Sequence, residues 1–299
     1  MKRLLIIGCG DVARRALPML RSRYGRVFAL ARSESSATLL RSLGVTPIPG
    51  DLDQRRSLGL LAGLPDDVLH SAPPPAQGRA DTRTLNLIAA LACAENLPRR
   101  LVYLSTSGVY GDCGGERVPE TRPLQACNAR AVRRADAESR LRAWGRRSQV
   151  AVSILRVPGI YAADRLPLSR LRQGTATICA EQDVYTNHIH ADDLAAIVAR
   201  ALVAAWPGRV YNTSDDSAMR MGDYFDLVAD RFGLARPPRI SRAQAEVELP
   251  APLLSFMRES RRLANERLKR ELRVHLRYPT VVAGVEAAAT AAGRIAPAQ

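Results

Sequence analysis

Short apolar runs alternate with segments of helical period from the first residues onward, the pattern of a parallel sheet covered by helices. The runs Arg3–Ile7, Arg26–Ala31, Val45–Ile48, Asp67–Ser71, Arg100–Ser105 and Val150–Val157 predict strands. The segments near Asp11–Ser22, Glu34–Leu43, Gln54–Leu61, Ala80–Ala94 and Ala129–Arg146 predict the helices between them. Residues 1–157 therefore read as an α/β domain built on a doubly wound parallel sheet. After Pro158 the rhythm changes. Ala191–Leu202 reads as a helix and Val210–Thr213 as one more strand, whereas Met221–Phe232 and Leu253–Leu272 look helical, with Pro-rich connections at Pro237–Pro238 and Pro250–Pro252. Residues 158–299 are thus expected to form mainly a smaller substrate-binding lid, with parts near 186–215 returning to the sheet. The Ala-rich tract Ala287–Ala292 lies near the end, and the last few residues are expected to fray.

Composition narrows the class. At 299 residues, 46% apolar and 24% charged, the chain can bury a full core, which excludes collagen, disorder and a disulfide scaffold. Apolar stretches such as Leu194–Leu202 are too short to span a bilayer, so no membrane partner is expected. Leu4–Ile7 is much shorter than a signal-peptide apolar region. Five cysteines at 9, 93, 113, 127 and 179, with no Cys-x-x-Cys pair, fit neither a disulfide framework nor a zinc site. A cytoplasmic location is expected. The net charge of +15 is carried almost wholly by arginine, since Lys2 and Lys269 are the only lysines. The basic residues are dispersed, 24 in the first 150 positions and 20 in the rest, so nucleic acid is not an expected partner. The denser run Phe256–Tyr278 reads as an amphipathic helix with a solvated face.

The sharpest motif is Leu4-Leu5-Ile6-Ile7-Gly8-Cys9-Gly10-Asp11-Val12-Ala13, a strand entering G-x-G-x-x-A and then a helix. Gly8 permits a tight turn, Gly10 lets the backbone approach a pyrophosphate, and Ala13 keeps helix and strand close, as in a Rossmann-type dinucleotide site. The N–H groups of the helix that opens at Asp11 face the anion. About twenty residues on, where an NAD site places a carboxylate, the chain has Arg32-Ser33. A guanidinium there suits a 2′-phosphate, so NADP is favoured over NAD. Asp51-Leu52 after the third strand and Ser71-Ala72-Pro73 after the fourth lie at the C-terminal strand ends, where open α/β sheets hold ligands.

With these residues in view, the chain resembles the NAD-dependent epimerase/dehydratase family of the extended short-chain dehydrogenase/reductase superfamily. The resemblance continues through Leu104-Ser105-Thr106-Ser107-Gly108-Val109-Tyr110-Gly111, Leu155-Arg156-Val157-Pro158-Gly159-Ile160-Tyr161, His188-Ile189-His190-Ala191-Asp192-Asp193-Leu194-Ala195 and Val210-Tyr211-Asn212-Thr213. It implies a nicotinamide coenzyme on the N-terminal sheet and a small-molecule substrate, such as a nucleotide sugar, under the C-terminal lid. It also implies a catalytic hydroxyl three residues before the Val-Tyr-Gly step, at Thr106, with Ser107 beside it. Homodimers through the helices flanking the fifth strand are a further implication.

The family pattern breaks at its proton-transfer device, Tyr-x-x-x-Lys. Counting back from Glu138, the lysine slot holds Arg134 and the tyrosine slot Arg130; the family's asparagine slot holds Ala80. No tyrosine lies between Tyr110 and Tyr161, and no lysine between Lys2 and Lys269, so a shifted register does not restore the dyad. Arginine stays protonated and cannot act as base, though it supplies a positive field. Tyr110 and Tyr161 follow strand ends and are the phenols to consider for proton transfer; Tyr161 and Arg134 join Thr106 and Ser107 as candidate catalytic residues. His188 and His190 followed by Asp192 and Asp193 superficially resemble a metal cluster, but Asp192-Asp193-Leu194 reads as a helix start, and no metal is expected. The chain reads as an atypical NADP-dependent oxidoreductase or epimerase; the alternative is a non-catalytic NADP(H)-binding sensor or scaffold.

Overall fold

Seven parallel strands form the central sheet in the computed structural model of the chain, which describes residues 1–250, 253–254 and 257–295. The first five are β1 (Arg3–Ile7), β2 (Arg26–Ala31), β3 (Thr46–Pro49), β4 (Asp67–His70) and β5 (Arg100–Thr106). With Ala151–Val157 and Val210–Asn212 they take the order Val210–Asn212, Ala151–Val157, β5, β4, β1, β2, β3. Residues Leu4–Ile7 are all buried because each side of the sheet is covered by helices. Alternation divides them. Leu4 and Ile6 pack with Ala16, Leu17 and Leu20 of helix α1 (Asp11–Arg21) and with Leu194 and Val198 of helix Ala191–Ala204. Leu5 and Ile7 face the opposite core, with Leu87 and Leu91 of α3 (Thr82–Leu91) and Leu141 and Trp144 of α4 (Ala129–Ser148).

The chain runs outward from β1 to β2 and β3, then crosses back to place β4 on the other side of β1. This reversal is the switch point at which open α/β sheets form a crevice outside their C-terminal strand ends.

The six N-terminal strands follow the sequence reading within one or two residues. Two expected helices differ. The segment Gln54–Leu61 is a 3-10 helix over Arg55–Leu61, and α3 starts at Thr82 because the Asp81 side chain accepts from the Thr84 N–H at 3.0 Å. Val210–Asn212 returns to the sheet as expected, with Val210 opposite Ile154. His188–His190 pairs instead with Gly159–Tyr161 in a separate two-stranded parallel ladder.

The larger correction concerns Leu253–Leu272 and the amphipathic helix expected over Phe256–Tyr278. Residues 255 and 256 lie outside the described residues. Among the described ones, Leu253, Leu254 and Met257 are helical, Arg262–Leu263 is a short strand parallel to Arg117–Val118, and helix resumes only over Glu266–Leu272. Long-range bonds displace the helical alternative. The Ser260 carbonyl accepts from Cys113 and Gly115, and Asn265 Nδ2 donates to the Ser214 and Asp215 carbonyls. Arg273, with φ of +51°, ends the helix. The Ala-rich tract belongs to helix Val281–Ile295; residues 296–299, where fraying was expected, lie outside the described residues.

Candidate functional site

The turn after β1 owes its shape to Gly8. Its φ is +88°, and a Cβ there would lie 2.5 Å from the Ala72 nitrogen, so neither conformation nor space admits a side chain. The contact arises because the chain leaving β4 closes over the turn. Ser71 and Ala72 N–H groups donate to the Ile7 carbonyl, and Ser71 Oγ donates to the Gly8 carbonyl at 2.6 Å. Ser71 and Ala72, expected to touch a coenzyme, brace the turn, and Ser71 also lines the cavity that Gly8 and Gly10 share.

Gly10 differs from Gly8. It caps α1 without a side-chain hydrogen bond, its φ is −81°, and nothing lies within 4 Å of where its Cβ would be. The first-turn N–H groups of α1 thus lie beside open space, as an anion cradle requires. Ala13 is buried at the helix–strand contact. The Asp11 carboxylate accepts from Arg15 Nε at 3.1 Å and lies 3.4 Å from Arg165. Arg15 also pairs with Asp164 at 3.0 Å and Asp192 at 2.9 Å, so one network ties α1 to two segments of the C-terminal half. These bonds hold the Arg15 guanidinium above its ordinary range.

Beyond β2 and β3 is a cavity of about 400 Å³ lined by Arg32, Ser33, Arg41, Gly50 and Asp51. Ser33 caps helix α2 (Glu34–Ser42), its hydroxyl accepting from the Ser36 N–H at 3.3 Å. Arg41 is paired with Glu34 at 2.7 Å, whereas exposed Arg32 has no hydrogen-bond or ion-pair partner among the described residues. The Asp51 Oδ1 atom accepts from the Asp53 N–H at 3.0 Å, and the buried Leu52 offers its carbonyl to Asn86 Nδ2 at 2.7 Å.

A second cavity, of about 280 Å³, lies over the ends of β1, β4, β5 and Ala151–Val157. Gly8, Gly10, Pro73, Thr106, Arg130 and Arg134 share its lining. Thr106 Oγ1 accepts from the Gly108 N–H at 3.2 Å, a local turn that leaves the hydroxyl at the cavity wall. Arg134 is buried. Its Nη1 donates to the Tyr103 hydroxyl at 2.9 Å and the Leu104 carbonyl at 2.8 Å, while Nε has no partner. Arg130 is exposed, but partial desolvation at the cavity wall, then the neighbouring Arg134, lowers its pKa from the ordinary value.

Ser107 and the two phenols considered for proton transfer are placed elsewhere. The buried Ser107 is not among the residues lining this cavity. Tyr161 also stands off, because strand alternation sends Ile160 to the cavity and Tyr161 to the opposite side. Its hydroxyl donates to the Thr280 carbonyl at 3.3 Å, and burial raises its pKa. Tyr110 donates to Asn212 Oδ1 at 2.8 Å beneath the Arg156 guanidinium, and burial raises it too. His190 Nδ1 accepts from the Asp192 N–H at 3.2 Å, and His188 stacks on Tyr224, so both imidazoles have structural neighbours. Among the described residues, no group of three or more His, Cys, Asp or Glu is placed to hold a metal, and no helix is long and apolar enough to cross a membrane.

Sequence reasoning missed Arg15, Arg41 and Arg165. The i,i+4 spacing of Asp11 and Arg15 was readable on one helix face; the Asp11–Arg165 approach had no local signal.

Comparison with known proteins agrees with this fold. The profile of the NAD dependent epimerase/dehydratase family matches residues 4–214. No curated protein matches the chain. Among solved structures, a functionally unknown conserved protein from Silicibacter pomeroyi is 29% identical with a TM-score of 0.79, covering 97% of this chain and 99% of the other. The UDP-glucose 4-epimerase of Thermotoga maritima, solved with UDP-glucose, is 14% identical with a TM-score of 0.78 over 98% and 99% of the two chains. The dTDP-glucose 4,6-dehydratase of Bacillus anthracis, solved with NAD, is 15% identical with a TM-score of 0.76 over 99% and 97%.

Proposed function

The chain belongs to the NAD dependent epimerase/dehydratase family, and from that premise we propose that it is an NADP-dependent oxidoreductase or epimerase. Its substrate in this reading is a nucleotide sugar or a similar carbonyl- or hydroxyl-bearing small molecule. The observation that carries the reading is the bare N-terminus of α1. No side chain caps it, Gly10 leaves the approach open, and Thr106 lines the same cavity.

The residues present fit the coenzyme. The α1 N–H groups take the pyrophosphate, Arg32 and Ser33 the 2′-phosphate, and Asp51 the adenine amino group. NADP, when bound, supplies hydride chemistry. Thr106 hydrogen-bonds the reacting substrate oxygen, whose proton passes to or from water at the cavity mouth. Arg134, fixed by its bonds to Tyr103 and Leu104, holds a positive field beneath that point without exchanging protons itself.

The test is steady-state turnover with NADPH against a panel of keto-sugars and sugar nucleotides, with Thr106→Val as the control. Coenzyme-dependent turnover that falls about a hundredfold in the variant supports the reading. Tight coenzyme binding without turnover overturns catalysis and favours a second reading, a non-catalytic NADP(H) sensor or scaffold. The observation behind that alternative is the pair of arginines at 130 and 134, with Tyr110 and Tyr161 both bonded elsewhere.

A further inference from the structure

Arg130 and Arg134 stand four residues apart on α4, and both line the 280 Å³ cavity. Like charges at this spacing repel, and a carboxylate would ordinarily separate them. None bonds either arginine among the described residues; the buried Asp81, within electrostatic reach of Arg134, is bonded to Thr84. Arg134 bonds to neutral oxygens, and Glu138 on the next turn is held by Arg156 at 2.7 Å. Asp11, on the far wall, is occupied by Arg15 and Arg165. The cavity wall therefore carries two cations with no carboxylate bonded to either, one of them with a buried, unpartnered Nε.

Topology separates this charge from the pyrophosphate cradle. Arg130 and Thr106 lie over β5, two strands from β1, a distance of about 10 Å at ordinary strand spacing. A dinucleotide crossing the switch point with its adenosine over β2 and β3 would lay its nicotinamide nucleoside, which has no oxyanion of its own, over β4 and β5. The guanidinium at Arg130 is left for a second ligand. At about 280 Å³ the cavity is near the lower limit for small-molecule sites, and a nicotinamide ring takes part of it.

Resting on the coenzyme reading above, we propose that the cleft between Thr106 and Arg130 takes a small ligand bearing an oxyanion, a carboxylate or a phosphate, with Arg130 as its direct partner. Arg134 is the positioning residue: its bonds to the carbonyl of Leu104 and the hydroxyl of Tyr103 hold the strand end on which Thr106 sits.

The experiment is calorimetric titration of the full chain with oxalate, with inorganic phosphate and with neutral hydroxyacetone, each with and without saturating NADP⁺. The expected result is that oxalate or phosphate binds the NADP⁺-loaded protein while hydroxyacetone does not. Which anion binds tells carboxylate from phosphate. Arg130→Met weakens that anion at least tenfold, and Arg130→Lys restores most of it. Arg130 is exposed, so its replacement spares the core. Mutual exclusion of anion and NADP⁺ would place the anion in the pyrophosphate cradle and overturn the proposal, as would equal affinity in wild type and Arg130→Met or no anion binding. If NADP⁺ fails to bind but an anion still binds through Arg130, the coenzyme reading falls and this one stands.

Discussion

Arg156 Nη2 donates to Glu138 Oε2 at 2.7 Å, and both side chains are almost completely buried. Ser105 Oγ adds a bond to Glu138 at 2.6 Å, so this one carboxylate ties α4 to the ends of β5 and Ala151–Val157, directly beneath Thr106. Removing one member of a buried pair strands the other charge. Glu138→Gln should cost about 3–5 kcal/mol in urea unfolding, and the double replacement Glu138→Leu with Arg156→Met should recover most of it. Equal loss in the single and double variants would contradict this account.

The two glycines of the first turn should separate stability from binding. Gly8→Ala meets the Ala72 backbone at 2.5 Å in a left-handed conformation and should destabilise by about 1–3 kcal/mol. A Cβ at Gly10 would meet no atom within 4 Å and φ there is ordinary, so in Gly10→Val the melting temperature should change little. The valine fills the approach to the α1 N–H groups, and coenzyme titration should show binding lost.

Arg32→Ala should weaken NADPH by roughly tenfold to a hundredfold, the worth of charge-assisted bonds of about 1.5–3 kcal/mol, and leave NADH within about twofold. Fluorescence titration of both coenzymes reads this. Equal losses for the two would move the 2′-phosphate away from Arg32.

Asp215 is buried, with Oδ1 accepting from the Ser217 N–H at 2.9 Å and Oδ2 unpartnered. Burial, helped by Asp216 and Asp193, pushes its carboxyl up to about 7. Between about pH 4 and pH 7 the unfolded chain releases this proton and the folded chain keeps it, so stability falls as pH rises through that window. Asp215→Asn has no such proton. Its advantage over wild type in urea unfolding should therefore grow on going from pH 5 to pH 8, by about 1.4 kcal/mol for each unit of pKa difference crossed. A gap independent of pH would refute the assignment.

How far the site was legible depended on distance along the chain. Gly8, Gly10 and Ala13 were readable because a strand, a turn and a helix meet within ten residues. That no tyrosine lies between Tyr110 and Tyr161 and no lysine between Lys2 and Lys269 was readable because absence of a residue type needs no geometry. The helix expected over Leu253–Leu272 misled, since local periodicity gave no hint of Ser260 and Asn265 bonding more than forty residues away.

The amino-acid order by itself determined the parallel sheet, the glycine-rich turn after β1, the guanidinium at the end of β2 and the lack of tyrosine and lysine around Arg130 and Arg134. Periodicity encodes which face of an element is buried, and that suffices for these features. The tertiary structure alone decided what each polar atom meets. It assigned Ser71 to bracing Gly8, turned Tyr161 toward Thr280 and tied Asp11 to Arg165, while Thr106 and Arg130 were left at the cavity wall. A side chain's partners depend on which distant strands become neighbours, and that information lies in the packed sheet rather than in any one segment.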